Sequence, residues 1–188
     1  MSLRLNSKQI RNLAEEQALQ IKQQRQTFPI YFILDSVYDT YNTGSFFRLA
    51  EALGIKKIYL TGQMETPPNI KIKRAAVGTD KLIDWEYKKD IKKLITDLKK
   101  NNFQIIAIEQ TKDSTDYREI SYKFPLALVL GNETKGVNQA VLNYCDYIAE
   151  IPMYGVNKSL NVLVSASVVG YWILKDQPKR FLLQSNAK

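Results

Sequence analysis

The sequence predicts an α/β domain built on a mainly parallel sheet with helices on both faces. Short apolar runs typical of strands alternate with amphipathic helical segments along most of the chain. The first such run is Ile30–Asp35, and the last helical segment is Ser159–Leu174. Apolar runs of this kind suit parallel strands, because both faces of a parallel sheet are covered. We therefore expect one domain over residues 28–174.

Polar segments flank this domain at both ends. Residues 7–26 carry apolar side chains at helical spacing, and Ser7 is a candidate N-cap, so we expect one helix there within an extension covering residues 1–27. That helix could pack against the domain or hold RNA, and both roles remain open. A polar tail, residues 175–188, follows the domain, and its Phe181, Leu182 and Leu183 could dock onto it.

Local patterns predict the remaining elements in order along the chain. Strands are expected at Lys57–Leu60, Phe103–Ile108, Leu126–Leu130 and Tyr147–Pro152, and helices at Ser45–Leu53, Asp90–Lys100, Val137–Tyr144 and Ser159–Leu174. Gly54 suits the end of the first of these helices, because glycine readily adopts the left-handed conformation found there. Residues 65–69 and 111–123 are polar and irregular, and we expect loops there.

The composition excludes several kinds of site. The 188 residues include no histidine and one cysteine, so there is no Ser-His-Asp or Cys-His nucleophile system and no His-ligated zinc. Cys145 alone cannot form an intrachain disulfide or a Cys-rich metal site, and we expect no metal. The longest apolar stretch, Leu160–Leu174, is short for a membrane span. Since residues 1–10 are also unlike a signal peptide, we expect a cytoplasmic protein without membrane contact.

The charge balance points to a polyanionic partner. The chain has 27 Lys and Arg against 19 Asp and Glu, a formal net charge of +8. Nucleic acid is the usual partner of a basic cytoplasmic protein, although charge alone does not establish it. No G-x-G occurs, so a dinucleotide fingerprint is absent. Val137 and Asn138 follow Gly136 where a Walker-type loop requires Lys and Ser or Thr, which disfavours a nucleoside triphosphate site.

Three segments are harder to explain as scaffold: residues 41–54, 130–136 and 151–161. In an α/β sheet, ligands bind at the carboxyl ends of the strands, and each of these segments follows a predicted strand. Each also has an ordinary structural explanation. Arg48 could extend its charge to solvent from an apolar helix, the second segment could be a tight polar turn, and Ser159 could be an N-cap.

Taken together, the three segments resemble the signature motifs of the SpoU (TrmH-like) branch of the SPOUT RNA methyltransferases. The resemblance covers residues of about 30–174 in the order and spacing of the family. The matching positions are Asn42, Gly44, Arg48, Ala50 and Gly54 in the first motif; Leu130, Gly131, Asn132, Glu133 and Gly136 in the second; and Ile151, Pro152, Met153, Gly155, Ser159, Leu160, Asn161 and Val162 in the third. The chain departs from the family at Thr134, Lys158 and Leu163, which could alter loop shape or RNA preference.

The resemblance implies a fold and a reaction. The fold would contain a deep C-terminal trefoil knot, which pattern reasoning excludes from consideration. The reaction would transfer a methyl group from S-adenosylmethionine to a ribose 2′-hydroxyl of tRNA or rRNA, with tRNA favoured. The family implies that knot loops near residues 108–111, 130–136 and 151–160 hold the cofactor. The candidate cofactor-binding residues are Leu130, Gly131, Asn132, Ile151, Met153 and Leu160.

The resemblance also implies a catalytic set: Arg48, Asn42, Glu133, Ser159 and Asn161. The family assigns the role of base to the arginine. Because a guanidinium stays protonated at neutral pH, a clamp on the phosphate beside the target ribose is an equally open role for Arg48. Asn42 would hold Arg48 or the ribose. The other three side chains would orient the nucleotide and shape the pocket through hydrogen bonds.

Family members are homodimers, so we expect a dimer whose active site draws on both subunits. The expected interface residues, on helices 45–54 and 159–174, are Phe46, Phe47, Leu49, Leu53, Val164, Val168, Tyr171 and Trp172. The expected RNA-binding residues are Lys8, Arg11, Lys22 and Arg25 on the N-terminal helix, and Lys71, Lys73 and Arg74 in a loop. Two other functions remain open: methylation of a base nitrogen by the same fold, and RNA binding without catalysis.

Overall fold

The computed structural model describes residues 5–177, so the Phe181–Leu183 docking prediction lies outside the described residues. The strands are β1 (Phe28–Asp35), β2 (Ile55–Thr61), β3 (Asp84–Lys88), β4 (Gln104–Ile108), β5 (Thr115–Asp116), β6 (Leu126–Leu130) and β7 (Tyr147–Glu150). The helices are α1 (Ser7–Arg11), α2 (Glu15–Gln24), α3 (Thr40–Ala52), α4 (Ile70–Ala76), α5 (Ile91–Lys100), α6 (Gln139–Leu142) and α7 (Val162–Ile173), with a 3₁₀ turn at Thr79–Lys81.

The seven strands form one sheet in the order β3-β2-β1-β6-β4-β7-β5, and every pairing is parallel. This confirms the predicted α/β class with a mainly parallel sheet. Strands β6, β4 and β7 are neighbours, and their carboxyl ends lie at one edge of the sheet. Loops that follow these three strands therefore meet in space although they are far apart in the sequence. The trefoil knot stays a prediction.

Two apolar layers enclose the sheet. On one face, Phe46 and Phe47 of α3 and Val169 of α7 are fully buried against β1, β2 and β6. On the other face, Leu94 and Ile95 of α5 pack with Ile33, Ile105 and Val129. Helices thus cover both faces, as expected from the fully apolar β6.

Three elements were missed by the sequence patterns: α4, β3 and the two-residue strand β5, which lies within the expected loop 111–123. The segment containing Lys71, Lys73 and Arg74 was expected to be a loop, but it forms α4, which Asn69 caps through hydrogen bonds from the backbone N–H groups of Lys71 and Ile72. Only Ile72 and Ala76 of this short helix are buried, so it lacks a recognisable apolar stripe. Strand β3 is an edge strand in which Trp85 and Tyr87 alternate with three charged residues, and none of its residues is fully buried.

Several predicted helix boundaries were wrong. The expected single helix over residues 7–26 is two helices, α1 and α2, which break at residues 12–14. Helix α3 begins five residues earlier than predicted, because Asp39 caps it by accepting from the Tyr41 N–H. Helix α6 is a single turn.

The N-terminal extension packs against the domain. Arg25 is 9% exposed, and its Nη2 donates to the Ile55 carbonyl at 2.6 Å, while burial lowers its pKa against the attraction of Glu51 and Asp84. Lys22 pairs with Asp84 at 2.6 Å. The prediction that Lys22 and Arg25 bind RNA was therefore wrong for Arg25, which is enclosed, and Lys22 already has an internal anionic partner.

Three of the residues expected at a subunit interface lie instead in the core. Phe46 and Phe47 are 0% exposed and Leu53 is 2% exposed, so they are not available to a partner. Their burial follows from the position of α3, whose apolar face is needed to cover the sheet. Among the expected residues, Val164 and Tyr171 are exposed. Within residues 5–177 no helix is both long and apolar enough to cross a bilayer.

Gly44 lets α3 and α4 approach closely. A Cβ built at Gly44 would lie 2.5 Å from the Ile72 carbonyl oxygen and 2.6 Å from the Ala75 Cβ, so neither neighbour can yield without moving backbone. We expect Gly44→Ala to lower the free energy of unfolding by about 1–3 kcal/mol. Gly155→Ala is the matched control, because a Cβ there meets nothing within 4 Å. Urea denaturation measures both, and equal stabilities of the two variants would contradict the packing argument.

Candidate functional site

A cavity of about 570 Å³ opens at the carboxyl ends of β4, β6 and β7, beside the start of α7. Its walls come from the three loops that follow these strands, the last of which leads into α7. The lining residues are Ile108, Glu109, Gln110, Leu130, Gly131, Asn132, Glu133, Thr134, Lys135, Gly136, Ala149, Ile151, Met153, Asn157, Lys158, Ser159, Leu160, Asn161, Val162 and Ser165. All six residues expected to bind a cofactor are among them.

The loop after β6 is folded back on itself. The backbone groups of Asn132 and Gly136 pair with each other, and the Asn132 side chain accepts from the N–H groups of Thr134 and Lys135. A Cβ at Gly131 would lie 2.2 Å from the carbonyl carbon of Gly136, so only glycine permits this closure. Asn132 also donates to the Ser36 carbonyl at 2.8 Å, which ties the loop to the end of β1.

One hydrogen-bond network joins the three motif segments. Asn42 Nδ2 donates to Glu133 Oε1 at 2.9 Å, and Asn161 Nδ2 donates to Asn42 Oδ1 at 3.2 Å. Glu133 also accepts from the backbone N–H groups of Tyr38 and Asp39, at 3.0 and 3.1 Å. The carboxylate therefore holds the N-terminal end of α3 against the loop after β6. The first and third motifs meet through Asn42.

These contacts set the charge state of Glu133. Burial alone would raise its pKa, but the hydrogen bonds from Asn42, Tyr38 and Asp39 favour the carboxylate and the net pKa is lowered. A carboxyl group whose pKa is lowered on folding stabilises the protein above its unfolded-state pKa, and that stabilisation disappears as the pH falls through the folded-state value. The network is thus complete at neutral pH and weakens in acid.

Glu133→Gln should remove this pH dependence. The variant keeps one acceptor oxygen, but its amide N–H₂ group faces N–H donors of Tyr38, Asp39 or Asn42 that the carboxylate accepted from. We therefore expect the free energy of unfolding to fall by about 1–2 kcal/mol near neutral pH. The difference from wild type should shrink as the pH falls from neutral into the acid range, because wild-type Glu133 itself becomes protonated below its lowered pKa. Urea unfolding across that range measures the difference. Glu119→Gln, on an exposed carboxylate, is the control, and a constant wild-type-to-variant gap would contradict the interpretation.

Asn161 has a second role. It is the N-cap of α7 and accepts from the N–H groups of Leu163 and Val164, so the expectation that Ser159 starts this helix was wrong. Ser159 lies exposed in the segment before the helix and lines the cavity, with its N–H directed to Asn157 Oδ1 at 3.4 Å. Capping fixes Asn161 so that its amide faces Asn42.

Arg48 lies apart from this network. It is exposed and follows Asn42 by six residues, which turns it by about 240° around α3 and moves it by about 9 Å along the axis. It lines a second cavity of about 470 Å³ between α1, α3 and α7, together with residues that include Ser7, Leu163 and Ser167. The prediction that Asn42 holds Arg48 was wrong within one protomer, because the Asn42 side chain bonds to Glu133 and Asn161.

Two pocket residues at the end of β4 were not singled out by the sequence analysis. Glu109 accepts from the N–H of Gln110 and from the N–H of Val137, both at 2.8 Å. Gln110 Nε2 donates to the Ile151 carbonyl at 3.3 Å. The two side chains thus join the loop after β4 to the loops after β6 and β7. The resemblance implied that residues 108–111 lie at the cofactor, but no sequence pattern distinguished these two side chains within that loop.

Neither Cys145 nor the described acidic side chains form a nucleophilic or metal-binding site. Burial raises the pKa of the Cys145 thiol to about 12, so it is a poor nucleophile at neutral pH. Among residues 5–177, no group of three or more Cys, Asp or Glu side chains is arranged to hold a metal ion.

The model of the SpoU rRNA Methylase family matches residues 29–171 of the chain. A Staphylococcus haemolyticus protein of the TrmH family of tRNA/rRNA methyltransferases is 28% identical over 172 residues, which is 92% of this chain and 68% of that protein. A Staphylococcus saprophyticus protein of the same description is 32% identical over 143 residues, covering 76% of this chain and 57% of that protein. The chain thus spans about 60% to 70% of the length of these relatives.

Solved structures show the same architecture. The AdoMet-bound rRNA methyltransferase from Sinorhizobium meliloti superposes with a TM-score of 0.75 at 27% identity, covering 84% of this chain and 60% of that one. The TrmH/SpoU tRNA modifying enzyme of A. aeolicus superposes with a TM-score of 0.76 at 26% identity, covering 86% of this chain and 82% of that one. One of the two proteins is described as acting on rRNA and the other as modifying tRNA.

Proposed function

Because the chain belongs to the SpoU rRNA Methylase family, we propose that it transfers a methyl group from S-adenosylmethionine to a ribose 2′-hydroxyl of tRNA or rRNA. The observation that carries this proposal is the hydrogen-bond network through Asn42, Glu133 and Asn161 beside the cavity. It brings one polar side chain from each of the three motifs to a single place. Such an arrangement suits the orientation of a nucleotide next to a bound cofactor.

The cavity fits the cofactor. Its volume of about 570 Å³ is within the usual range for small-molecule sites. Ile151 and Leu160 supply apolar surface for a purine ring, and Met153 adds a flexible thioether side chain. The folded loop after β6 presents backbone groups of Gly131 at the same edge. Within residues 5–177 no group of acidic or cysteine side chains is arranged to hold a metal ion. Methyl transfer from a sulfonium cofactor does not require one.

The chain positions the acceptor more than it activates the donor. When bound, S-adenosylmethionine supplies a methyl group that is already activated by its sulfonium. Asn42 and Asn161 have fixed amide orientations, because each amide bonds to a neighbour in the network. Ser159 lies exposed at the cavity and can bond to the ribose or phosphate of the target nucleotide. Closure of RNA over this edge would exclude water from the reacting atoms.

Arg48 completes the site as a positive charge towards the RNA. Its exposed guanidinium is free to clamp a phosphate bidentately, a geometry that arginine suits better than lysine. The alternative role as base requires a neighbour that takes up the proton of a guanidinium, whose pKa lies well above neutral. In the described protomer no hydrogen bond or ion pair of Arg48 to another residue is found, which favours the clamp.

In a homodimer, Arg48 of one subunit would reach the cavity of the other subunit that contains Glu133 and Asn161. Within one protomer Arg48 does not line the cavity that contains Glu133 and Asn161. The exposed apolar side chains Val164 and Tyr171 on α7, beside the α3 surface that carries Arg48, offer a surface for a second copy. We place the partner there, so that Arg48 of one subunit serves the cavity of the other.

The RNA surface would include exposed cations on both sides of α3. Five of the seven residues expected to bind RNA are exposed: Lys8, Arg11, Lys71, Lys73 and Arg74. Helix α4, which carries the last three, packs directly against the start of α3 at Gly44 and so lies next to Asn42. With a net charge of +8, this surface would attract the phosphate backbone in a salt-dependent manner. We favour tRNA as substrate and the cytoplasm as location.

The function is tested with labelled S-adenosylmethionine and total tRNA or rRNA from cells that lack the gene. Digestion to nucleosides and mass spectrometry should find a 2′-O-methylated ribose. A methyl group on a base nitrogen would instead support the second activity of this fold. Calorimetry with S-adenosylmethionine separates the third possibility, because a protein that binds RNA but has no affinity for the cofactor cannot be this enzyme.

A further inference from the structure

Glu109 is the carboxylate in the cavity that the proposed mechanism leaves without a role. The described lining residues contain two carboxylates, Glu109 and Glu133, and both are anchored by N–H donors. The two carboxylates differ in how many further hydrogen bonds they can accept. Glu133 accepts three hydrogen bonds from the protein, two of them on Oε1. Glu109 accepts one on each oxygen, so each oxygen keeps a lone pair for another donor.

The carboxylate of Glu109 is held in place. Its Oε1 accepts from the Gln110 N–H and its Oε2 from the Val137 N–H, so two loops fix both oxygens at once. The absence of a side chain at Gly136 is part of this arrangement, because a Cβ there would lie 2.0 Å from Glu109 Oε2. Within residues 5–177 no Lys or Arg forms an ion pair with Glu109. The result is an oriented anion at the cavity wall whose charge has no cationic partner.

We propose that Glu109 accepts hydrogen bonds from the two ribose hydroxyls of the adenosyl cofactor. A vicinal diol presents two O–H donors side by side, which matches two carboxylate oxygens with one free lone pair each. A carboxylate near the carboxyl end of a parallel strand is a known solution for binding a nucleotide ribose in other α/β folds. The inference rests on the proposed function, since it assigns a contact of the same cofactor in the same cavity.

Calorimetry with S-adenosylhomocysteine and its 2′-deoxy, 3′-deoxy and 2′,3′-dideoxy analogues tests the assignment, because none of these ligands is turned over. The wild-type protein should bind S-adenosylhomocysteine about 10- to 100-fold more tightly than the dideoxy analogue, the range expected for hydrogen bonds to a charged acceptor. Glu109→Gln should lose a similar factor for S-adenosylhomocysteine. The same variant should bind the dideoxy analogue about as well as wild type does. Glu119→Gln, on an exposed carboxylate, should match wild type for every ligand.

Two results would overturn the assignment. If wild type binds the deoxy analogues as tightly as S-adenosylhomocysteine, no side chain recognises the diol, and this measurement does not depend on whether the variant folds. If Glu109→Gln loses the same factor for all four ligands, Glu109 acts only by holding the loops at Gln110 and Val137. A wild-type protein that binds none of the ligands would instead refute the proposed function itself.

Discussion

Replacing Arg48 by alanine should reduce methyl transfer by a factor of at least about 10² to 10³, the range seen when a single group that stabilises developing charge or positions a substrate is removed. Binding of S-adenosylhomocysteine should be unchanged, because in its own subunit Arg48 does not line the cavity proposed to hold the cofactor. Stability should also be unchanged, since the side chain is exposed and has no hydrogen bond to lose. Transfer assays on RNA, calorimetry and thermal denaturation measure the three quantities.

The comparison with Arg48→Lys separates the two roles considered for Arg48. A phosphate clamp retains part of its effect with lysine, because the positive charge remains although the bidentate geometry is lost. Lys56→Ala, on an exposed cation at the amino end of β2 that lines neither cavity, is the control for general loss of charge. Near-normal turnover by Arg48→Ala would show that the reaction does not depend on this residue.

Mixing two inactive variants should restore activity if Arg48 serves the cavity of the partner subunit. One variant is Arg48→Ala and the other is Asn161→Ala. In a mixed dimer, the subunit with intact Asn161 receives Arg48 from its partner, so one of the two sites is complete. Random exchange of equal amounts should therefore give about a quarter of the wild-type rate, since half of the dimers are mixed and each has one complete site.

The mixing experiment has a different result if Arg48 acts within its own subunit. If Arg48 serves the cavity of its own subunit, neither site in a mixed dimer is complete and mixing restores nothing. Subunit exchange must be shown independently, by light scattering of the mixture and by fluorescence transfer between differently labelled variants. A protein that stays monomeric at the assay concentration would exclude this arrangement altogether.

The fold class was predictable from strong local patterns. Strand β6 is apolar at every position and buried throughout, and α5 shows a clear stripe with Leu94, Ile95 and Leu98. The elements that were missed have weak patterns for physical reasons. Helix α4 buries two residues and edge strand β3 buries none completely, so neither needs the long apolar pattern that marks a core element. The exact order of the strands depends on contacts distant in sequence, which periodicity does not encode.

The candidate site was predictable in part. The six residues expected to bind the cofactor line one cavity, and their role there stays a prediction. The partner of Asn42 was not predictable, because helix α3 starts earlier than its apolar pattern indicates and Arg48 is therefore turned away. Glu109 lies in the loop 108–111 that the resemblance implied for the cofactor, but its individual role was not predictable, for a different reason. Its importance comes from contacts with Gln110 and Val137, and the second of these joins loops that are brought together only by the sheet.

The order in which the molecule folds follows from the span of the network at Glu133. Its hydrogen bonds connect residues 91 and 119 positions apart, so each requires the closure of a very long loop of chain. Contacts of such high sequence separation slow folding and become stable only when most of the sheet already exists. Asn42, Glu133 and Asn161 can therefore meet only in a late intermediate or in the native state. A chain that ends before Asn161 contains two of the three motifs but cannot form the hydrogen bond between Asn161 and Asn42, so the network is complete only when the start of α7 is present.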